Sequence, residues 1–204
     1  MGTTGAVFIL LSVLAARPQV SPPAQASKPI QCELRVFDGS DEVTRETRVR
    51  VYPSGRKENG VPTDAAGRVQ LLPGLYDVQM IRQRDGQVTG TRWIEHLLIM
   101  RYPDEEGHHL EVANFKPQYG ALELKTGGQA DCDADAFAAG DRRRPTATGK
   151  RGAGYVLLVV PAGRYDVRVK AASSNAPETW LTDIDIPADR TRLRTVGAGR
   201  QKQE

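Results

Sequence analysis

The sequence predicts an all-β protein made of two tandem small sandwiches of six to seven strands each. The first observation behind this is an internal repeat. Pro73-Gly74-Leu75-Tyr76-Asp77-Val78 returns as Pro161-Ala162-Gly163-Arg164-Tyr165-Asp166-Val167, and Trp93-Ile94-Glu95-His96-Leu97-Leu98-Ile99 returns as Trp180-Leu181-Thr182-Asp183-Ile184-Asp185-Ile186. The outer segments agree too, Leu34-Arg35-Val36-Phe37 with Leu122-Glu123-Leu124-Lys125 and Leu110-Glu111-Val112 with Leu193-Arg194-Thr195-Val196, at offsets of about 83 to 89 residues. The second observation is strict alternation of apolar and polar residues, the period of a strand with one wet face. The third is composition: Gly 20 and Pro 13 favour many turns, and no helical period persists beyond the N-terminal apolar run.

From the N-terminus onward, Ala6 to Ala16 is an apolar run too short to span a bilayer but suited to the core of an export signal. Pro18, Pro22 and Pro23 end it, and Ala24-Gln25-Ala26 is a small-x-small cleavage site. Residues 1–26 are therefore expected to be a signal peptide, with a mature chain beginning at Ser27, secreted or periplasmic and without a membrane span. The residues before Cys32 are not those of a lipoprotein signal. Sandwich repeats are expected at residues 31–116 and 117–197, and a disordered tail at 198–204.

The strands follow in order. Arg48 to Tyr52 alternates charge with apolar residues, as do Tyr165, Val167 and Val169 with Asp166, Arg168 and Lys170. Val69 to Leu72 and Tyr155 to Val160 are apolar on both faces, which predicts central strands buried on two sides. Each runs through Pro-Gly or Pro-Ala-Gly into the tyrosine strand, a hairpin in which Pro sets φ and Gly supplies a positive φ. Tyr76 and Tyr165 begin the return strands and are expected to bury their rings.

The order of strand, Pro-x-Gly-x-Tyr-Asp-Val, Trp with an alternating strand, polar turn, then Phe115 and the Gly120, Leu122, Leu124 strand resembles tandem modules found beside von Willebrand factor A domains in secreted bacterial proteins. More broadly it is similar to the transthyretin-like, carboxypeptidase-regulatory-like group of Ig-like sandwiches. The resemblance covers Gln31 to Val196 and implies an accessory or adhesive module with no catalytic residue. The von Willebrand A metal motif is not present, since Asp38-Gly39-Ser40-Asp41-Glu42 lacks its second Ser. An isopeptide staple is not expected either, because Thr191 to Val196 holds no Asn.

Catalytic motifs are missing: the sequence has no Gly-x-Ser-x-Gly, P-loop, His-Glu-x-x-His or dinucleotide fingerprint. No cofactor is expected. His108 and His109 lie beside Asp104, Glu105 and Glu106, but Tyr102 to Gly107 reads as a solvated turn, and His96 matches Asp183 at an outward polar position. Asp131, Asp133 and Asp135 suggest a calcium loop, although an EF-hand would need Gly and Glu where Ala136 and Arg142 stand. Cys32 and Cys132 occupy non-equivalent places in the repeat. A disulfide between them, worth at most about 4 to 5 kcal/mol, and two free thiols both remain open.

Residues 32–115 carry 11 basic and 14 acidic side chains, while residues 116–204 carry 15 and 11. The positive excess gathers at Arg142, Arg143, Arg144, Lys150 and Arg151 and in the C-terminal residues Arg190, Arg192, Arg194, Arg200 and Lys202. The loop from Arg142 to Arg151 is thus the candidate ligand site, for an acidic glycan or a protein partner. Nucleic acid is a poor candidate because no reading helix accompanies the cluster. The functional expectation is an exported, non-enzymatic structural or interaction module. The alternative is a carbohydrate-binding or hydrolase-accessory module using the basic loop or Trp93 and Trp180, whose equivalent places in the two copies point to packing.

Overall fold

The computed structural model describes residues 28–100, 108–126, 132–152, 154–171 and 178–196. The predicted signal peptide and C-terminal tail lie outside these. In chain order the strands are β1 (Ile30–Asp38), β2 (Asp41–Glu42), β3 (Thr47–Pro53), β4 (Val61–Pro62), β5 (Arg68–Leu71), β6 (Gly74–Arg84), β7 (Gln87–Ile99) and β8 (His108–Asn114). They continue as β9 (Tyr119–Lys125), β10 (Cys132–Ala138), β11 (Ala147–Thr148), β12 (Lys150–Gly152), β13 (Tyr155–Pro161), β14 (Gly163–Ala171), β15 (Thr179–Ile186) and β16 (Thr191–Thr195). Among the described residues each copy has six main strands plus two short ones. Thr44–Glu46 forms a single 3-10 turn, and no helix among the described residues is long and apolar enough to cross a membrane.

Four sheets result, and they correspond in pairs. In the first copy β1 pairs with β5 and β2 antiparallel and with β8 parallel, facing a sheet of order β4-β3-β6-β7. The second copy has β12-β13-β9-β16, again with a parallel closing pair, facing β11-β10-β14-β15. Alternation decides what lies between the sheets. Ile30, Cys32, Leu34 and Val36 meet Val49, Val51, Val78, Met80, Ile94 and Ile99 in the first core. Leu122, Leu124, Val156, Leu158 and Val160 meet Ala134, Ala136, Val167 and Val169 in the second.

A third apolar cluster joins the two sandwiches. Phe37, Leu110 and Val112, from the outer face of the β1–β8 sheet, pack on Ala121, Leu157 and Val159, from the outer face of the β9–β13 sheet. Polar contacts frame it. Arg92 reaches the Asn114 carbonyl and the Asp189 carboxylate, Arg35 Nη1 donates to Tyr155 Oη at 3.3 Å, and the Val112 N–H donates to Thr191 Oγ1 at 2.8 Å. The connection is short: the Phe115 N–H donates to the Phe37 carbonyl (2.8 Å), and buried Asn114 binds both Gly39 and the Lys116 N–H. The molecule is a four-layer stack with three apolar seams.

The stack explains why only one of the two predicted doubly buried strands is doubly buried. Tyr155 to Val160 lies between two layers, Leu157 and Val159 toward the first sandwich and Leu158 and Val160 toward the second core. Val69 and Leu71 point inward, but Gln70 is exposed and Leu72 is 50% exposed, because nothing among the described residues covers the outer face of β5. The pairing also shifts the repeat, by two residues at β1, where Cys32 and not Leu34 matches Leu122, and by one at β5. Leu71 pairs with Ile30 inside the first core as Val160 pairs with Gly120 in the second, which aligns Leu72, not Pro73, with Pro161.

That alignment accounts for the tyrosines. The Tyr76 hydroxyl donates to the Leu72 carbonyl and the Tyr165 hydroxyl to the Pro161 carbonyl, each at 2.7 Å and each four residues back, as in the tyrosine corner of Greek-key sandwiches. Tyr165 is 6% exposed and lies in the second core, while Tyr76 is half-buried against the first. Gly74 and Gly163 are not among the positive-φ glycines, contrary to the predicted turn. The tyrosine bond holds the corner, so no left-handed residue is needed there.

Two outcomes are expected. Tyr165→Ala should cost about 3–5 kcal/mol in urea unfolding of residues 27–204, and Tyr165→Phe about 1 kcal/mol through the lost hydrogen bond. A loss below about 1 kcal/mol for the alanine variant would place the ring on the surface. Residues 27–117 and 118–204, expressed separately, should each give a β-rich, cooperatively melting product, and the two should associate when mixed because each exposes half of the apolar seam. A random-coil spectrum from either half would exclude independent folding.

Candidate functional site

Buried acids are where catalysis would show. Asp77 and Asp166 sit at matching β-bulges, where β6 against β7 and β14 against β15 shift register. Across each bulge a residue takes a left-handed conformation, His96 and Asp183, both at φ 58°. Asp77 Oδ1 accepts the His96 N–H and the Ser54 hydroxyl, each at 3.0 Å, and Oδ2 accepts the Gly55 N–H at 3.0 Å. Asp166 Oδ1 accepts the Asp183 N–H at 3.1 Å, and Oδ2 accepts Arg142 Nε at 2.9 Å. The Asp of the repeated Tyr-Asp-Val therefore caps an irregular strand. It is a structural residue.

Burial is the largest single influence on Asp77 and raises its pKa, but the hydrogen bonds from His96, Gly55 and Ser54 together outweigh it and hold the carboxyl below its usual value. Asp166 is held low first by the Asp183 N–H and then by Arg142.

On the outer faces, Trp93 lies 5.2 Å from Tyr52 between ring centroids with Lys57 Nζ 4.9 Å over it, and Trp180 lies 5.3 Å from Phe137 with the Arg142 guanidinium at 4.3 Å. Each indole is packed between a ring and a cation. This is the packing role that the repeat implies.

The basic loop is spread out. Arg142 serves Asp166 and Trp180, and Arg143 pairs with Asp141 at 2.9 Å. Lys150 Nζ reaches the Ser40 carbonyl at 3.5 Å and lies 5.0 Å over Phe37, and Arg151 pairs with Asp133 at 2.7 Å. Arg144 is exposed without an ion pair among the described residues. Asp131 of the acidic string lies outside the described residues, as does the turn from Tyr102 to Gly107. Asp135 binds Arg168 at 2.8 Å and Thr148 at 2.9 Å. Among the described residues no group of three or more His, Cys, Asp or Glu is placed to hold a metal.

Cys32 and Cys132 are buried in different cores, so no disulfide joins one to the other. Cys32 stands where pairing puts Leu122 in the second copy, as a small apolar residue, and burial, with Glu111 and Glu33 nearby, pushes its thiol far up. His109 is buried beside it on β8, Nδ1 3.0 Å from the Met100 carbonyl and Nε2 2.9 Å from Glu111 Oε1.

The arrangement that sequence reasoning missed lies on the outer face of β3 and β6. Arg48 and Arg50 point outward there, opposite Ile81 and Gln79. With Arg45 from the 3-10 turn they border an open cavity of about 470 Å³, completed by Thr47, Pro62, Thr63, Asp64 and Val88. The second copy has Asp133 and Asp135 in those strand positions, opposite Lys170 and Arg168. There Asp135 pairs with Arg168 and Asp133 with Arg151; in the first copy the arginines face neutral residues. Charge counting could not find this, because residues 32–115 are acidic in sum.

No family model matches the chain, and no curated protein matches it in sequence. Among solved structures it is similar to a candidate adhesin from Bacteroides ovatus, with 12% identity over 85% of this chain and 94% of that one and a TM-score of 0.29. It is also similar to a DUF3823 family protein from Bacteroides ovatus (13% identity, 81% of this chain, 100% of that one, TM-score 0.25). A third is the C-terminal fragment of pilus adhesin SpaC from Lactobacillus rhamnosus GG (10%, 85%, 100%, TM-score 0.27). At these scores the likeness carries no argument about ligand or activity.

The capped acids yield an expected pH dependence. A carboxyl whose folded pKa lies below its unfolded value, about 3.9 for Asp, stabilises the fold above that value, and the contribution is lost as pH falls through the folded pKa. Stability of residues 27–204 should therefore fall as pH drops below about 4, and the Asp77→Asn, Asp166→Asn variant should lose less in urea titrations. Parallel curves would assign the acid sensitivity to other groups.

Proposed function

We propose that this chain is an exported, non-enzymatic interaction module of the transthyretin-like, carboxypeptidase-regulatory-like kind, secreted or periplasmic in location. The observation that carries the reading is the four-layer stack. Both inner sheets are spent on the seam between the sandwiches, which fixes the two copies relative to each other and leaves the β4-β3-β6-β7 and β11-β10-β14-β15 faces pointing outward on opposite sides. A short connection and a buried seam make a spacer that presents surfaces. The buried acids are occupied as strand caps and the indoles as packing, so neither recommends a hydrolase-accessory role.

Export is the part that a direct experiment decides. Expressed with its own N-terminus in a bacterium, the protein should be recovered from the periplasm or medium with Ser27 as its first residue by N-terminal sequencing. Recovery with residues 1–26 intact in the cytosol would overturn it.

A further inference from the structure

We infer that the cleft bordered by Arg45, Arg48 and Arg50 is a binding site for an acidic polysaccharide, one whose sugar rings carry carboxylates. The inference deepens the interaction-module reading and rests on it.

The two copies differ at this place. At equivalent strand positions the second copy sets Asp133 and Asp135 against Lys170 and Arg168, with ion pairs from Asp135 to Arg168 at 2.8 Å and from Asp133 to Arg151 at 2.7 Å. The first copy sets Arg48 and Arg50 against Ile81 and Gln79. Arg45 and Arg48 have no ion pair among the described residues, and Arg50 makes one contact, from Nη1 to the Gly60 carbonyl at 3.4 Å. The nearby acids are committed elsewhere: Glu46 pairs with Arg82 at 3.1 Å, and Asp64 Oδ1 accepts the N–H groups of Ala66 and Arg68 at 2.9 and 2.8 Å. Guanidinium keeps its charge at any relevant pH and binds carboxylates through paired hydrogen bonds. Alternate residues on a strand stand about 7 Å apart, so Arg48 and Arg50 offer two successive charges along one line.

The remaining lining selects the ligand class. Ile81, Val88 and Pro62 form an apolar floor for the C–H face of a ring, and Val88 is 58% exposed there. Thr63 and the Gln79 amide offer partners for hydroxyls; Gln79 Oε1 already accepts the Tyr52 hydroxyl at 3.1 Å, which orients the amide. An extended acidic peptide fits less well. The strand bordering the cleft, β4, is two residues long and ends in Pro62, which has no N–H to offer a ladder.

The test measures binding of residues 27–204 to polygalacturonate, with poly-glutamate and neutral dextran as the other arms. Arg48→Ser with Arg50→Ser should weaken polygalacturonate binding about tenfold or more, the loss of a charge-assisted contact. The charge-matched Arg143→Ser with Arg144→Ser in the second copy should change it less than about twofold. Val88→Glu, which adds a like charge at an exposed site without touching the arginines, should also weaken it. Equal loss in both arginine pairs, equal binding of poly-glutamate with the same dependence on Arg48 and Arg50, or no binding by the wild type would each overturn the site. None of these bears on export, which the Ser27 measurement decides separately.

Discussion

Everything in this molecule depends on apolar side chains that turn away from their own cores. An ordinary sandwich strand buries one side and wets the other. Here Phe37 on β1, Leu110 and Val112 on β8, and Leu157 and Val159 on β13 turn apolar side chains away from their own cores. Each sandwich thus carries a second surface to bury, and burying it against the other copy stabilises by about 1.5–3 kcal/mol per large side chain. The seam sets the stacking order, and the order decides which sheets remain available.

The seam is not symmetric, which is why the repeat is imperfect. The first copy presents β1 with β8, whereas the second presents β9 with β13. Strand β5, the counterpart of β13, is left with a polar outer face, and the two copies have diverged where their surroundings differ. The same divergence shows on the free faces. Asp133 and Asp135, paired with Arg151 and Arg168, close one face electrostatically, while Arg48 and Arg50 opposite Ile81 and Gln79 leave the other open.

What the repeat preserves is the hardest geometry to replace. Tyr76 and Tyr165 close a corner on a carbonyl four residues upstream, and the next residue, Asp77 or Asp166, caps a bulge whose opposite strand bends through a left-handed residue. His96 and Asp183, chemically unlike, share that backbone state and a single partner, an aspartate carboxylate that accepts their N–H. The repeated element is thus a backbone requirement, and the hydrogen bonds it makes satisfy two buried carboxylates.

The sequence by itself determined the all-β class, the doubled architecture, the inward faces of β3 and β14, and the packing role of the tryptophans, because periods of two and repeated motifs are local and survive without coordinates. Only the tertiary structure decided that Tyr155 to Val160 is doubly buried while Val69 to Leu72 is not, that Cys32 and Cys132 sit apart, and that most of the Arg142 to Arg151 loop is engaged with acids or rings from other strands. It alone placed Arg45, Arg48 and Arg50 around one cleft. The physical reason is that charge and burial are properties of neighbours across strands. Arg50 and Asp135 occupy the same place in the fold, and what distinguishes an open cation from a neutralised pair is the residue on the facing strand, Gln79 or Arg168, which no reading along the chain supplies.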